Sequence, residues 1–257
     1  MAQGQIAFVT GAGSGIGAAV VRRLAGQGAT VVAADLNAAA VEAVAAGLPR
    51  ACPATVDVAD AGQVEQAVAK VVRDHGRLDV VVHAAGVDDP AAKRVLTDAL
   101  LAGEPPQVTA CLGDDAWRRV MSVNLDGTFH VLRAAVRVMT PARAGAIVVI
   151  GSSASFDAPV GYAHYAAAKA GVHALCQSVA KEVIAFGVRV NVVAPGPTDT
   201  GMAARTPEPL RHSLSDGRVR PYASPEEIAD IALFLAGDGA ANLVGAVLLA
   251  NGGRFTV

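Results

Sequence analysis

Thr10-Gly11-Ala12-Gly13-Ser14-Gly15-Ile16-Gly17 is the stretch on which the reading of this chain turns. It follows a short apolar run, Ile6 to Thr10, and opens a segment from Ile16 to Gln27 whose apolar residues recur at helical spacing. Glycines in such a place permit a tight turn, and they let the backbone N–H groups at a helix start approach a pyrophosphate. A purely structural turn can have the same composition, so the neighbouring sequence has to decide.

Working outward, further short apolar runs are bounded by Gly, Asp or Pro: Thr30 to Ala34, Val80 to His83, Ala146 to Ile150, Val188 to Ala194 and Val247 to Ala250. They are continuous and do not alternate, as suits strands buried on both faces of a parallel sheet. Helical patterns lie between them at Ala38 to Ala46, Ala61 to His75, Trp117 to Met139, Tyr162 to Ala185 and Pro225 to Leu235, the last preceded by Ser224 as an N-cap. This order predicts an α/β fold, a Rossmann-type doubly wound parallel sheet with helices on both faces. No shift in composition marks a linker, so residues 1–257 read as one dinucleotide-binding and catalytic domain.

The composition narrows the classes. The 257 residues carry 21 basic and 23 acidic side chains, a net charge of −2, and only 17% charged residues. Mean hydropathy is +0.41, high enough to raise the question of a membrane. The longest uncharged stretch, Met1 to Val21, is broken by five glycines and lacks a basic start, which argues against a spanning helix or a signal peptide. A cytoplasmic protein without a membrane partner is therefore expected. With no basic stripe and 4% aromatics, nucleic acid is not an expected partner either. Cys52, Cys111 and Cys176 are too scattered for a disulfide framework, and no cluster at ligand spacing suggests a metal.

Two features carry chemistry. Asp35, eighteen positions after Gly17, ends the second strand, where a carboxylate can accept hydrogen bonds from ribose hydroxyls. It would repel the extra phosphate of NADP, and the neighbouring Ser14 and Leu36 bring no compensating charge, so NAD is the expected cofactor. Tyr165 and Lys169 stand at i and i+4, on one face of a helix. A Tyr pKa near 10 would have to fall by about three units for work at neutral pH, roughly 4 kcal/mol of differential stabilisation, which a nearby cation favours.

Together these residues resemble the classical short-chain dehydrogenase/reductase family over essentially the whole chain. Thr-Gly-x-x-x-Gly-x-Gly lies at Thr10 to Gly17, Tyr-x-x-x-Lys at Tyr165 to Lys169, and Ser152 stands thirteen positions before the Tyr. Asn124 matches the family's Asn, Pro195 to Thr200 its nicotinamide-sealing segment, and Asn251-Gly252-Gly253 its usual Asp-Gly-Gly. The resemblance implies a proton exchanged by Tyr165, a substrate oxygen held by Ser152, a nicotinamide ribose bound by Lys169, and a water held by Asn124 that leads protons out. It implies cofactor contacts at Gly11, Ser14, Gly15, Ile16, Gly17, Asp35, Leu36, Asp57, Val58, Ala84, Ala85, Gly86, Tyr165, Lys169, Pro195, Gly196, Thr198 and Thr200. His83-Ala84-Ala85-Gly86 departs from the family's frequent Asn-Asn-Ala-Gly, which removes an Asn brace; His83 reads as a packed strand end.

The expected activity is hydride transfer between NAD(H) and a secondary alcohol or ketone. The alternatives are a 3-oxoacyl-thioester reductase and, from another class, a non-catalytic dinucleotide sensor, which would be expected to lack the Tyr, Lys or Ser. The family's habit implies a homotetramer, with Ala163, Ala166, Ala167, Ala170 and Ala174 giving a helix a smooth packing surface. Between Gly86 and Asn124 the chain is about fifteen residues longer than its resemblance predicts, so an insertion around 88–113 with a helix from Ala91 to Ala102 is expected at the site mouth or at an adjacent subunit contact. A substrate loop around 201–222 carries Arg205, Arg211, His212, Arg218 and Arg220 against Glu208 and Asp216, which suits either an anionic substrate or a solvated lid. Phe156, Val160 and Met202 are candidates for an apolar pocket.

Overall fold

The computed structural model describes residues 4–215 and 222–257. Seven parallel strands form one sheet in the order β3-β2-β1-β4-β5-β6-β7: β1 Ile6–Thr10, β2 Thr30–Asp35, β3 Ala51–Thr55, β4 Val80–His83, β5 Gly145–Ile150, β6 Val188–Pro195 and β7 Val247–Ala250. The helices are α1 Gly15–Gly26, α2 Ala38–Ala45, α3 Ala61–His75, α4 Pro90–Ala102, α5 Val108–Cys111, α6 Asp114–Met121, α7 Gly127–Ala142, α8 Ala154–Asp157, α9 Ala163–Val183, α10 Gly201–Ala204, α11 Glu208–Ser215 and α12 Pro225–Ala236.

Successive strand side chains point to opposite faces, so each strand feeds two cores. Ala7, Val9, Val31, Val80, Val82 and Val148 pack with Val20, Val21 and Leu24 of α1 and Ile228 and Leu235 of α12. Phe8, Val81, Ile147, Val149, Val190 and Val192 pack on the other face with Val64, Val68 and Val71 of α3, Leu132 and Ala135 of α7, and Val172 and Cys176 of α9. Burial on both faces explains why these strands read as continuous apolar runs. Both cores hold many Val and Ala, whose burial uses little charge and raises mean hydropathy. Among the described residues no helix is long and apolar enough to cross a membrane.

Six strands are expected from the sequence, and the described residues form seven. The missing one, β3, is an edge strand with Cys52 and Pro53 exposed, and it carries neither a Val/Ile run nor a buried face. Pro is tolerated there because an edge strand has one side without ladder partners. The Trp117 to Met139 pattern becomes α6 and α7 joined by one π-helical turn, Ser122–Asp126. The Ser224 N-cap is a full capping box: its Oγ accepts from Glu227 N–H while the Glu227 carboxylate accepts from Ser224 N–H, with Pro225 in the first turn. Helix α4 falls where a helix was expected, with Asp89 accepting from Ala91 N–H at its start and Gly103, at φ +68°, ending it.

Candidate active site

The strand order reverses direction between β1 and β4, and a crevice opens at the carboxyl ends of strands at such a switch point. The Gly-rich turn occupies it. Gly11 adopts φ +66°, and a Cβ there would lie 2.7 Å from the Ala84 carbonyl oxygen and 2.6 Å from Ala85 N, so this turn lies flat on the Ala84-Ala85 backbone. A Cβ on Gly17 would lie 2.1 Å from the Gly11 carbonyl oxygen, which fixes how closely α1 approaches β1. Ser14 begins α1 without a side-chain cap, leaving the positive end of a 12-residue helix facing the crevice.

Asp35 closes one end of this crevice. Its Oδ2 accepts from Gly13 N–H at 2.9 Å and its Oδ1 from Asn37 N–H at 2.9 Å, while Leu36 beside it is 67% exposed. Asp57 accepts from Ala59 N–H, and Val58 is buried with its carbonyl bonded to His130 Nδ1 at 2.9 Å. Opposite, the segment after β6 folds back over the turn. Gly196 N–H bonds the Ala250 carbonyl, Thr198 pairs with Ala223, and the Thr200 methyl would lie 3.0 Å from a Cβ on Gly15. Thr200 Oγ1 also accepts from Ala203 N–H at the start of α10.

The chemistry-bearing side chains meet at the end of β5. The Ser152 hydroxyl stands near enough to the Tyr165 phenol to pull its pKa down, and accepts from Ala154 N–H at 3.1 Å. Lys169 Nζ lies 5.9 Å from the Tyr165 ring centroid and donates to the Ile150 carbonyl at 2.9 Å. Asn124 sits in the π-helical turn, and a Cβ on Gly86 would lie 2.8 Å from Asn124 Oδ1 and 3.6 Å from Lys169 Nζ. Residues from separate parts of the chain thus converge at the end of β5, and the closeness of Asn124 and Lys169 requires a glycine at Gly86.

Three details depart from the sequence expectations. Burial raises the Tyr165 phenol pKa, with the Ser152 hydroxyl working the other way, so the expected lowering is not present in the protein alone. Lys169 is turned to the Ile150 carbonyl, and burial pulls its own pKa down to about 8. The Asn124 amide is occupied: Nδ2 donates to the Val87 and Val120 carbonyls at 2.9 and 3.0 Å, and Oδ1 accepts from Val87 N–H at 3.2 Å. Asn124 therefore pins the chain after β4, and its amide N–H groups have no donor left for a water. Arg205 is opposed by Asp88 of the inserted segment at 2.9 Å, a partner that the loop's own composition did not reveal.

Arg218, Arg220 and Asp216 lie outside the described residues. Of the three apolar pocket candidates, Val160 lines a groove of about 500 Å³ with Thr109, Ala154, Pro159 and alanines of α9. Phe156 instead packs on the His173 ring, and Met202 offers its carbonyl to Lys93.

Sequence reasoning missed two groups. Lys93, on α4, is buried and bonds Asp88 at 2.6 Å, Thr206 at 2.9 Å and the Met202 carbonyl at 3.3 Å, which ties the inserted helix to the segment after β6. No local pattern signals a pairing across more than a hundred residues. His173 stands four positions after Lys169 on the same helix face, a spacing that could have drawn notice.

Comparison with known proteins agrees with this geometry. The short chain dehydrogenase family matches residues 5–210. The chain belongs to that family. The 3-oxoacyl-(acyl-carrier-protein) reductase FabG of Thermotoga maritima is 36% identical, covering 98% of both chains. The D-threitol dehydrogenase of Mycolicibacterium smegmatis is 38% identical over 97% of this chain and 92% of its own. Among solved structures, gox2181 superposes with a TM-score of 0.83 at 29% identity, covering 98% of this chain and 96% of its own. Short chain dehydrogenases are oxidoreductases that work with nicotinamide dinucleotides. The residues here fit such a group: an open helix N-terminus at the Gly-rich turn, a carboxylate at the tip of β2, and an ammonium beside a phenol across the switch point.

Proposed function

We propose that the protein transfers a hydride between NAD(H) and a secondary alcohol or ketone, with Ser152, Tyr165, Lys169 and Asn124 as its working residues. The observation that carries this reading is Lys169 Nζ 5.9 Å from the Tyr165 ring, with Asn124 Oδ1 and Lys169 Nζ both against Gly86, one residue past the Ala84-Ala85 backbone on which the Gly-rich turn lies. A bound nicotinamide supplies the hydride donor or acceptor. Tyr165 exchanges a proton with the substrate oxygen, and the Ser152 hydroxyl holds that oxygen within reach of the phenol. Lys169 binds the nicotinamide ribose and, being a cation 5.9 Å from the phenol ring, favours the phenolate. Asn124 fixes the Val87 backbone and so the wall beside Lys169.

Gly11, Ser14, Gly15, Ile16, Gly17, Asp57, Val58, Ala84, Ala85, Gly86, Pro195, Gly196, Thr198 and Thr200 are assigned to the cofactor. The preference for NAD rests on Asp35: its carboxylate faces the turn, and with Leu36 beside it no cation stands ready for a 2′-phosphate. The presence of Ser, Tyr and Lys together speaks against a non-catalytic sensor. A 3-oxoacyl-thioester substrate is the second reading, favoured by the likeness to the Thermotoga maritima enzyme. We further assign the chain to the cytoplasm and to a homotetramer.

The test is a panel of D-threitol, cis-4-hydroxycyclohexanecarboxylate and 3-hydroxybutyryl-coenzyme A, each assayed with NAD and NADP. Tyr165→Phe is expected to lower kcat about 10²–10⁴-fold while NAD binding, followed by titration, changes little. A fully active Tyr165→Phe enzyme would remove Tyr165 from the proton path, and preference for NADP would overturn the argument from Asp35.

A further inference from the structure

Ser152 is held by its backbone as well as through its hydroxyl. Its carbonyl accepts from Ser155 Oγ at 2.6 Å, Ser155 Oγ lies 2.8 Å from His173 Nδ1 and 3.2 Å from Nε2, and Ser152 N–H points at His173 Nε2 at 3.4 Å. A serine hydroxyl has one proton, and a carbonyl can only accept. Ser155 therefore spends its proton on the Ser152 carbonyl, and its oxygen rests against the imidazole, within reach of both ring nitrogens. Ser152 N–H requires Nε2 as its acceptor, so the neutral ring carries its proton at Nδ1. The imidazole and the Ser155 hydroxyl thus grip both peptide groups flanking the Ser152 Cα.

The surroundings enforce this geometry. His173 is 7% exposed, the Phe156 ring lies 5.2 Å away, and burial with nearby Lys169 keeps the imidazole neutral, its pKa pushed down to about 4. A Cβ on Gly151 would lie 2.3 Å from His173 Nε2, so the histidine ring lies directly against the backbone leading into Ser152. Helix α9 presents Tyr165, Lys169 and His173 at successive intervals of four, so the same rigid element sets the phenol, the ammonium and this clamp.

We propose that His173, acting through Ser155, is a positioning residue that fixes the backbone of Ser152 so that its hydroxyl stays aimed at the substrate oxygen. This rests on the reading of Ser152 given above. A misplacement of the order of 1 Å at such a group can cost about 10²-fold in rate.

The experiment is a mutant cycle, read with the panel alcohol that the wild-type enzyme oxidises fastest, together with 15N spectra of histidine-labelled protein. Ser155→Ala and His173→Phe are each expected to lower kcat about 10–100-fold with NAD binding unchanged, and to lower it little further in a Ser152→Ala background. The spectra should show His173 protonated at Nδ1 in the wild type, and Ser155→Ala should shift that proton toward Nε2. His173→Gln, which keeps a donor and an acceptor, should recover part of the loss caused by His173→Phe. Should His173→Phe fail to fold, Ser155→Ala and the spectra carry the test. Full kcat in Ser155→Ala, an equal loss in the Ser152→Ala background, or a wild-type ring protonated at Nε2 would overturn the clamp. A fully active Ser152→Ala enzyme would remove the reading of Ser152 itself, and the clamp with it; an inactive Ser152→Ala beside a fully active Ser155→Ala removes the clamp alone.

Discussion

At the scale of single residues, two buried imidazoles make stability depend on pH. His83 is 1% exposed, with Nδ1 hydrogen-bonded to Thr10 Oγ1 at 2.7 Å, and burial together with nearby Lys169 pushes its pKa down to about 3. His173 is held near 4 chiefly by burial. Both titrate near 6.5 in an unfolded chain. Between 6.5 and these lower values the unfolded state binds protons that the folded state refuses, so stability rises with pH across that window and is lost on acidification through it. From pH 6.5 to 5 each histidine is expected to remove about 2 kcal/mol. Urea unfolding of the wild type and His83→Asn at pH 7 and pH 5 checks this: the variant should lose about 2 kcal/mol less between the two, and parallel losses would rule out His83 as a contributor. The residue scale is also where sequence served best at the site. Tyr165 and Lys169 were legible because their i, i+4 spacing puts both on one helix face, and Ser152 through the family resemblance. The raised Tyr165 pKa was not, since desolvation depends on what surrounds the phenol.

At the scale of elements, the inserted helix α4 is tied to the chain after β6 by a buried ionic cluster. Asp88 and Lys93 side chains are each 6% exposed, and every strong hydrogen bond of the Lys93 ammonium goes to Asp88 or to the Met202–Thr206 segment. Arg205 completes the pair from a half-exposed position. Such a pair is costly to break from one side, and without Lys93 the buried Asp88 carboxylate keeps only the half-exposed Arg205. Lys93→Met is therefore expected to lower stability by about 2–3 kcal/mol and to speed proteolytic cleavage within residues 201–215. Adding Asp88→Leu should restore much of the stability by removing the carboxylate left with Arg205 alone. Unfolding midpoints and cleavage rates together read the cluster; a Lys93→Met protein as stable and as resistant as wild type would show that α4 is held by apolar contact alone. The sequence predicted both elements but not their connection, because an ion pair formed between chain segments over a hundred positions apart leaves no periodic trace.

At the scale of the whole molecule, the sheet was legible because burial on both faces writes itself into composition. Six strands stand out as Val, Ile and Ala runs, and β3 was lost because an edge strand with Pro53 and an exposed Cys52 needs no such run. The same low charge that suits two buried cores also leaves part of the surface apolar. Ala163, Ala167, Ala170 and Ala174 are exposed along α9, and three of the helix's alanines on this side line the groove shared with Thr109 and Val160. Small side chains let a second helix approach closely, and a face without charge pays little desolvation when covered. In the proposed homotetramer this face is an interface between copies. Ala170→Arg would place a long cation in that contact with no acidic side chain among the residues lining the groove, while leaving the chain's own core untouched. Sedimentation should give the wild type at four times the 25.8 kDa chain and the variant at a smaller assembly with an unchanged circular dichroism spectrum. A wild-type protein that sediments as a monomer, or a variant that keeps the full assembly, would place the contact elsewhere and leave the α9 alanines as ordinary surface.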